Sequence, residues 1–280
     1  MSKESNLALR LMTAVVMVPI ILTLVFVTPP WTFYSLALAA SLLGVHELLS
    51  MTHPADGPAR FIGVAVSAVA SLAVFFGHDD PRVLVALLVV VPLVGPMVTL
   101  GRIGAIETAA LRAYALGVAP LLVAVPLALL ALMRVTLGGR AGSGAVLLAL
   151  GLGWFTDTTA YFAGRFLGRR KLYEAVSPKK TVEGAIGGLM GSVVWAVLGA
   201  LTFARDVLPL AHAVPLALVG GALGIAGDLT ESLLKRSTGI KDSGSLVPGH
   251  GGMLDRIDAL LVTSVVVYLY TQWVYRPAIG

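Results

Sequence analysis

The 280-residue chain is 57% hydrophobic and only 12% charged, where a soluble globular domain carries roughly 25% charged residues. That excludes an ordinary water-soluble fold, and the lack of any Cys excludes disulfides, zinc–thiolate sites and a Cys nucleophile. The formal charge of +5 does not point to nucleic acid, because the basic residues sit in short loops between apolar runs, where membrane insertion accounts for them.

A helix crossing the hydrocarbon core of a bilayer needs about 20 mostly apolar residues. Between Arg10 and Glu47 the sequence carries no charge and breaks at Thr28-Pro29-Pro30-Trp31, which predicts a hairpin of two spans with an interfacial Trp. Further uncharged runs occupy 61–78, 83–101, 113–133, 141–156, 184–204, 207–227 and 259–275. None alternates as a barrel strand would, so helices must satisfy the backbone in lipid. The expected fold is an all-α integral membrane protein of about nine transmembrane helices. Fifteen Lys and Arg fall on the face of the N-terminus and five on the other, which places the N-terminus and the two richest loops in the cytoplasm. The first apolar run is longer than a signal-peptide core and lacks an Ala-x-Ala-like cleavage site, so it is expected to be retained.

No long polar linker divides the chain, yet its halves differ. Residues 1–140 read as structural membrane helices available for lipid or dimer contacts. Residues 141–280 hold nearly all the clustered polar groups, so a polar catalytic cavity is expected there: a carboxylate at mid-bilayer costs ~2.5–3.5 kcal/mol and usually lines a wet cavity.

Three clusters carry the chemistry. In the first, Asp157, Tyr161 and Gly164 share one face of a helix running into Arg165. Asp157 could serve a site or simply pair with Arg165 among lipid headgroups. The basic run that follows, Arg169-Arg170-Lys171, reads as a topology or headgroup signal. In the second, Ser177-Pro178-Lys179-Lys180-Thr181 precedes an apolar span. Two lysines beside free helix N–H groups suit a phosphate, although alone they could be a topology signal. Gly184, Gly187, Gly188 and Gly191 then form small-xxx-small pairs suited to close helix packing. The third cluster runs from Asp228 to Asp258. Asp228, Glu231 and Lys235 line one side of a helix, and Asp255 and Asp258 share a face at the start of the last span. The acids could merely neutralise the neighbouring cations. Hard oxygen ligands mixed with cations nevertheless suit Mg²⁺ bridging to phosphates, and the Gly-rich loop between them can approach an anion. His250 in that loop could donate to a phosphate or orient a neighbour.

These residues resemble the phosphatidate cytidylyltransferases (CDP-diacylglycerol synthases), integral membrane enzymes of phospholipid synthesis. The family signature is filled in correct spacing by Ser232, Lys235, Arg236, Lys241, Asp242, Gly244, Pro248, His250, Gly251, Gly252, Asp255, Arg256 and Asp258. The resemblance covers roughly 150–265, including the Asp157 and Ser177–Thr181 blocks. Val247 stands where Leu or Ile is commoner, and Thr159 where Gly often follows Asp-Thr.

The resemblance implies a nucleotidyltransferase that joins CTP and phosphatidic acid into CDP-diacylglycerol and pyrophosphate with Mg²⁺. It implies metal binding by Asp228, Asp255 and Asp258, a catalytic set of Asp228, Asp255, Lys235, Arg236 and His250, and substrate contacts from Lys179, Lys180, Lys241, Arg256, Asp157 and Ser177. The lipid phosphate is already ionised near neutral pH, so no strong general base is required. Partners would be CTP, phosphatidic acid and membrane lipids, with no nucleic acid. A homodimer is also implied, for which Gly220, Gly221 and Gly224 could serve unless they pack within one chain. The site would face the cytoplasm from the cell membrane, open both to water and sideways to lipid. A secondary transporter fits less well, since the charges gather at one face instead of the midplane. A CTP-dependent polyprenol or phytol kinase is the nearer alternative.

Overall fold

Each apolar run forms a helix, and Pro or Asp sets many of the starts. Pro30, Pro58 and Pro81 occupy first-turn positions, where the missing N–H would have no partner. Asp56 and Asp80 cap their helices by accepting from Ala59 N and Arg82 N at 3.1 and 2.9 Å. The computed structural model describes residues 3–244 and 251–275, with side chains from Val15 onward. Ten α-helices follow in order: α1 Lys3–Phe26, α2 Pro30–Thr52, α3 Gly57–Gly77, α4 Pro81–Gly101, α5 Ala109–Ala119, α6 Val125–Thr136, α7 Gly139–Leu167, α8 Val182–Leu201, α9 Leu210–Ser237 and α10 Leu254–Leu269. A π-helical turn at Pro120–Ala124 joins α5 to α6, where Pro120 supplies no donor to the helical ladder.

Among the described residues, eight helical segments are long and apolar enough to cross a membrane, with α5 to α6 counted as one, Ile106–Thr136. They coincide with eight of the nine expected spans. The remaining one falls on α1, whose described side chains form the apolar stretch Val15–Phe26. Phe61, Leu88, Met190 and Trp273 are among many large apolar side chains left exposed, an outer surface suited to lipid. The chain is thus an all-α multi-pass membrane protein. One two-stranded hairpin interrupts it: β1 Lys171–Tyr173 pairs antiparallel with β2 Ser177–Thr181.

Contacts divide the chain into two units, Met1–Ala131 with Asp242–Arg256, and Leu132–Lys241 with Ile257–Gly280. In the first, Tyr34 stacks on Phe75 with ring centroids 3.8 Å apart and hydrogen-bonds Ser71 at 3.2 Å, fastening α2 to α3. Helices α4 and α5 cross backbone to backbone, since a Cβ at Gly117 would lie 2.7 Å from Pro92 O.

In the second unit, glycines set the helix spacing. A Cβ at Gly184 would lie 3.0 Å from Ala160 O, and one at Gly188 3.0 Å from Thr156 O. The glycine face of α8 therefore lies directly on α7. Thr159 occupies the groove left by Gly191, so the bulk that the sequence adds beside Asp157 is accommodated by the opposing helix. Gly220, Gly224 and Gly227 lie along one face of α9 against Val266, Thr263 and Val262 of α10. Gly221 faces Leu189 and Ser192 of α8. These α9 glycines pack within one chain. Buried hydroxyls complete the unit: Thr263 donates to Ala149 O at 3.0 Å and Ser192 to Ala217 O at 3.2 Å.

Candidate active site

The second unit gathers charge at the C-terminal end of α9. Asp228, Glu231 and Lys235 follow one side of the helix, and the Gly220–Gly224–Gly227 face brings α10 close enough for Asp258 to join them. Asp228, Glu231 and Asp258 each offer a carboxylate oxygen, all within 4.8 Å of one another. Glu231 is buried and the other two are half-buried. A hard cation with bonds of about 2.3–2.6 Å accommodates such oxygens directly, and one with bonds near 2.1 Å needs only a side-chain adjustment of roughly half an ångström. The donor set therefore fits a divalent metal. Asp157, exposed on α7, lies within electrostatic reach of Asp258.

Two lysines enter this group. Lys180, on β2, forms an ion pair with Asp228, and Lys235 pairs with Glu231 at 2.7 Å one helical turn away. Ser232 donates to Asp228 Oδ1 at 3.5 Å. Lys180 and Lys235 each offset one carboxylate of the group, and a divalent cation would add the positive charge that three clustered acids call for.

The hairpin explains how Lys180 reaches α9. Thr181 caps α8 by accepting from Gly184 N at 3.1 Å. Glu183 turns back to accept from the backbone N–H of Arg169 and Arg170 at 2.9 and 3.2 Å. Lys171 donates to Pro178 O at 2.5 Å, closing the hairpin. Lys180 then points inward, whereas Lys179 is exposed and Ser177 half-buried. Arg236, exposed, donates to Val176 O at 3.3 Å and so ties α9 to the hairpin. Arg165 donates to Tyr161 Oη at 3.1 Å. Lys241 is exposed in its loop.

The remaining described signature residues belong to the first unit. Asp255 Oδ2 accepts from Ser243 N at 3.0 Å, Ser243 Oγ at 2.9 Å and Gly252 N at 2.9 Å. Gly251 adopts φ +78°, and a Cβ there would sit 2.6 Å from the same oxygen, which accounts for glycine at that position. Arg256 is exposed. Pro248 and His250 lie outside the described residues.

One functional candidate was missed in the sequence. Glu47, buried on α2, accepts from Met253 N at 2.9 Å and Leu254 N at 2.8 Å, and from Ser243 Oγ at 3.0 Å. Its signal was visible as an acid flanked by Val45, Leu48 and Leu49 within an apolar run.

Comparison with known proteins agrees with the geometry. A family model described as the cytidylyltransferase family matches residues 8–274. The phosphatidate cytidylyltransferase of Synechocystis sp. PCC 6803 is 45% identical over 124 residues, covering 44% of this chain and 42% of the relative. That of Bacillus subtilis is 45% identical over 117 residues, 42% of each chain. That of Thermotoga maritima is 41% identical over 132 residues, 46% of this chain and 49% of the relative. Each match spans less than half of the curated relative's length.

Proposed function

The chain belongs to the cytidylyltransferase family, and from that premise we propose that it transfers the cytidylyl group of CTP to phosphatidic acid, giving CDP-diacylglycerol and pyrophosphate. The observation that carries this reading is the convergence of Asp228, Glu231 and Asp258 beside Lys180 and Lys235. Such a site serves the meeting of two polyanions better than it serves transport or acid–base chemistry.

In the reaction, an oxygen of the lipid phosphate forms a bond to the α-phosphorus of CTP. The bond from that phosphorus to the β-phosphate oxygen breaks, and pyrophosphate leaves. Repulsion and alignment dominate the barrier, so positioned opposite charge is the main contribution the protein can make. Asp228, Glu231 and Asp258 would hold the cation, proposed as Mg²⁺, which supplies charge neutralisation and alignment of phosphate oxygens. Lys180 and Lys235, paired with two of these acids, can turn their ammonium groups to a phosphate when a metal competes for the carboxylates. Arg236, Lys241, Arg256 and Lys179 would extend the positive field, while Asp157 and Ser177 would contact substrate. Asp255 and His250 stay in the proposed catalytic set on the strength of the signature.

The distribution of basic residues supports a site facing the cytoplasm from the cell membrane, within residues 141–280. The family resemblance supports a homodimer.

Purified protein with Mg²⁺, CTP and phosphatidic acid should release pyrophosphate in step with CDP-diacylglycerol. Asp228→Asn should lower that rate at least about a hundredfold while leaving membrane insertion intact. Formation of CDP from CTP and a polyprenol would replace the reading with a lipid kinase, and no turnover with either lipid would reject both.

A further inference from the structure

We propose that the C-terminal end of α7 and the adjoining β1–β2 hairpin form a docking surface for anionic phospholipids of the surrounding bilayer, with Arg169 and Arg170 meeting the headgroup phosphates. This surface belongs to the membrane-spanning fold and does not depend on which reaction the acid cluster serves.

Helix lengths place the surface at the bilayer boundary. Helix α7 has 29 residues and α8 has 20, roughly 43 and 30 Å at 1.5 Å per residue. Helix α8 therefore matches the ~30 Å hydrocarbon core, whereas α7 is long enough to pass through headgroup layers as well. The two are level where the hairpin joins them: a Cβ on Gly184, in the first turn of α8, would lie 3.0 Å from Ala160 O and 3.2 Å from Gly164 Cα. The hydrocarbon edge on α7 thus falls near Ala160 and Gly164. Arg165, Phe166 and Leu167 lie beyond it, among headgroups, and the hairpin follows.

The side chains at this level combine cations with exposed rings. Phe162 and Phe166 stack with centroids 6.4 Å apart, and the Arg165 guanidinium lies 5.9 Å from the centre of the Phe166 ring. Phe166 is 74% exposed and Tyr173, on β1, is 56% exposed. Rings at this depth anchor a protein in the interface, and their faces hold cations. The backbone of the basic run is fixed: Glu183 accepts from the N–H of Arg169 and Arg170, and Val182 N donates to Arg170 O at 2.9 Å. Both guanidinium groups are left exposed. Among the described residues neither lies in an ion pair, in contrast to Lys180 of the same hairpin, which pairs with Asp228. A topology signal acts through charge during insertion and needs no such anchoring.

The ligand must therefore be both anionic and resident in the membrane. A phospholipid headgroup meets both conditions, because guanidinium groups bind phosphate oxygens through paired N–H donors and basic residues are drawn to an anionic bilayer surface. A soluble anion would leave the rings without a role.

The chain has no Cys, so Leu167→Cys, at an exposed position beside the two arginines, can carry a bimane fluorophore. The full-length protein is placed in nanodiscs of phosphatidylcholine and phosphatidylglycerol at about 4:1, and each lipid in turn is brominated to quench the probe. Phosphatidylglycerol should quench at least about threefold more than its bulk share predicts at low salt, and less at about 0.5 M salt. Arg169→Gln/Arg170→Gln should bring quenching down to the bulk share, whereas Arg169→Lys/Arg170→Lys should keep most of the enrichment. Arg205→Gln, exposed between α8 and α9, should leave it unchanged. Bulk-level quenching in the parent, or enrichment that survives Arg169→Gln/Arg170→Gln, would overturn the proposal. Should that double variant fail to insert, Arg169→Gln and Arg170→Gln singly decide, and full enrichment in both has the same consequence. Brominated phosphatidic acid supplies the last arm: its enrichment with phosphatidylglycerol at the bulk share would assign the surface to the path of the proposed substrate and overturn the docking of other anionic lipids. No turnover enters these readings, so failure of the proposed reaction leaves them unaffected.

Discussion

Lys235 shows how a single side chain can serve both fold and chemistry. It is buried against Glu231, with side-chain exposures of 10% and 7%, so the pair is largely withdrawn from water. Lys235→Met should destabilise the protein by roughly 3–5 kcal/mol, because it removes an ammonium that offsets a buried carboxylate. The double variant Lys235→Met/Glu231→Gln should regain most of that stability yet stay inactive, as measured by thermal unfolding in detergent beside pyrophosphate release. A single variant as stable as the parent would mean the pair is not buried as described. His53 offers a contrasting case in the first unit, outside the membrane spans. Burial first, and then the nearby Arg112 cation, hold its pKa below the ordinary value of 6.5. The unfolded chain therefore takes up this proton at a higher pH than the folded one. Stability from a neutral His53 is complete above about pH 6.5 and declines as pH falls through that value toward the lower folded pKa. The drop in melting temperature between pH 7.5 and 5.5 should be smaller in His53→Gln, and an equal drop in both proteins would exclude His53 as its source. At this scale the acids and lysines of the second unit could be read from charge inside apolar surroundings. The pairing of Lys180 with Asp228 could not, because it depends on a hairpin whose residues look like a basic loop.

Among the elements, the close approach of α9 and α10 decides whether Asp258 meets Asp228 and Glu231. A Cβ at Gly227 would lie 2.6 Å from Val262 Cγ2 and 3.4 Å from Asp258 O. Val262 is β-branched and stiff, so the helices have to separate to admit a larger residue. Gly227→Val should cost about 1–3 kcal/mol of stability through overpacking and weaken divalent-metal binding more than tenfold, measured by metal titration. Gly101→Val, at a position with open space around it, should do neither. Similar metal affinity in Gly227→Val and the parent would show that the carboxylates do not need this spacing. The glycines of α8 were legible in sequence as a packing face from their small-xxx-small spacing, whereas their partner on α7 was not. Spacing reveals that a helix can be approached closely, but the approaching helix is chosen by long-range packing. Glu47 eluded the sequence reading for a related reason: its partners are backbone N–H groups 206 and 207 residues away, and backbone groups leave no residue-type signature.

For the whole molecule, gaps between charges located the helices because each crossing must remain apolar over a fixed thickness of lipid, a constraint that acts along the chain and needs no tertiary information. Orientation follows from a different asymmetry. Retention of Lys and Arg on the cytoplasmic side predicts that the turn between β1 and β2 lies inside the cell and the loop between α3 and α4 outside. These loops are separated by three crossings, α4, α5 to α6, and α7, so they should occupy opposite faces. The chain has no Cys, which allows one introduced thiol to report without background. Asp79, 93% exposed before α4, and Glu174, exposed in the hairpin turn, are suitable positions that are not themselves proposed site residues. Asp79→Cys should react with a membrane-impermeant maleimide added to intact cells, whereas Glu174→Cys should react only after the membrane is opened. The reverse pattern would place Lys179, Lys180 and the acid cluster on the outer face, away from cytoplasmic CTP, and would remove the reaction proposed here. Labelling of both positions from one side would instead mean that the span between the two loops is miscounted by one crossing.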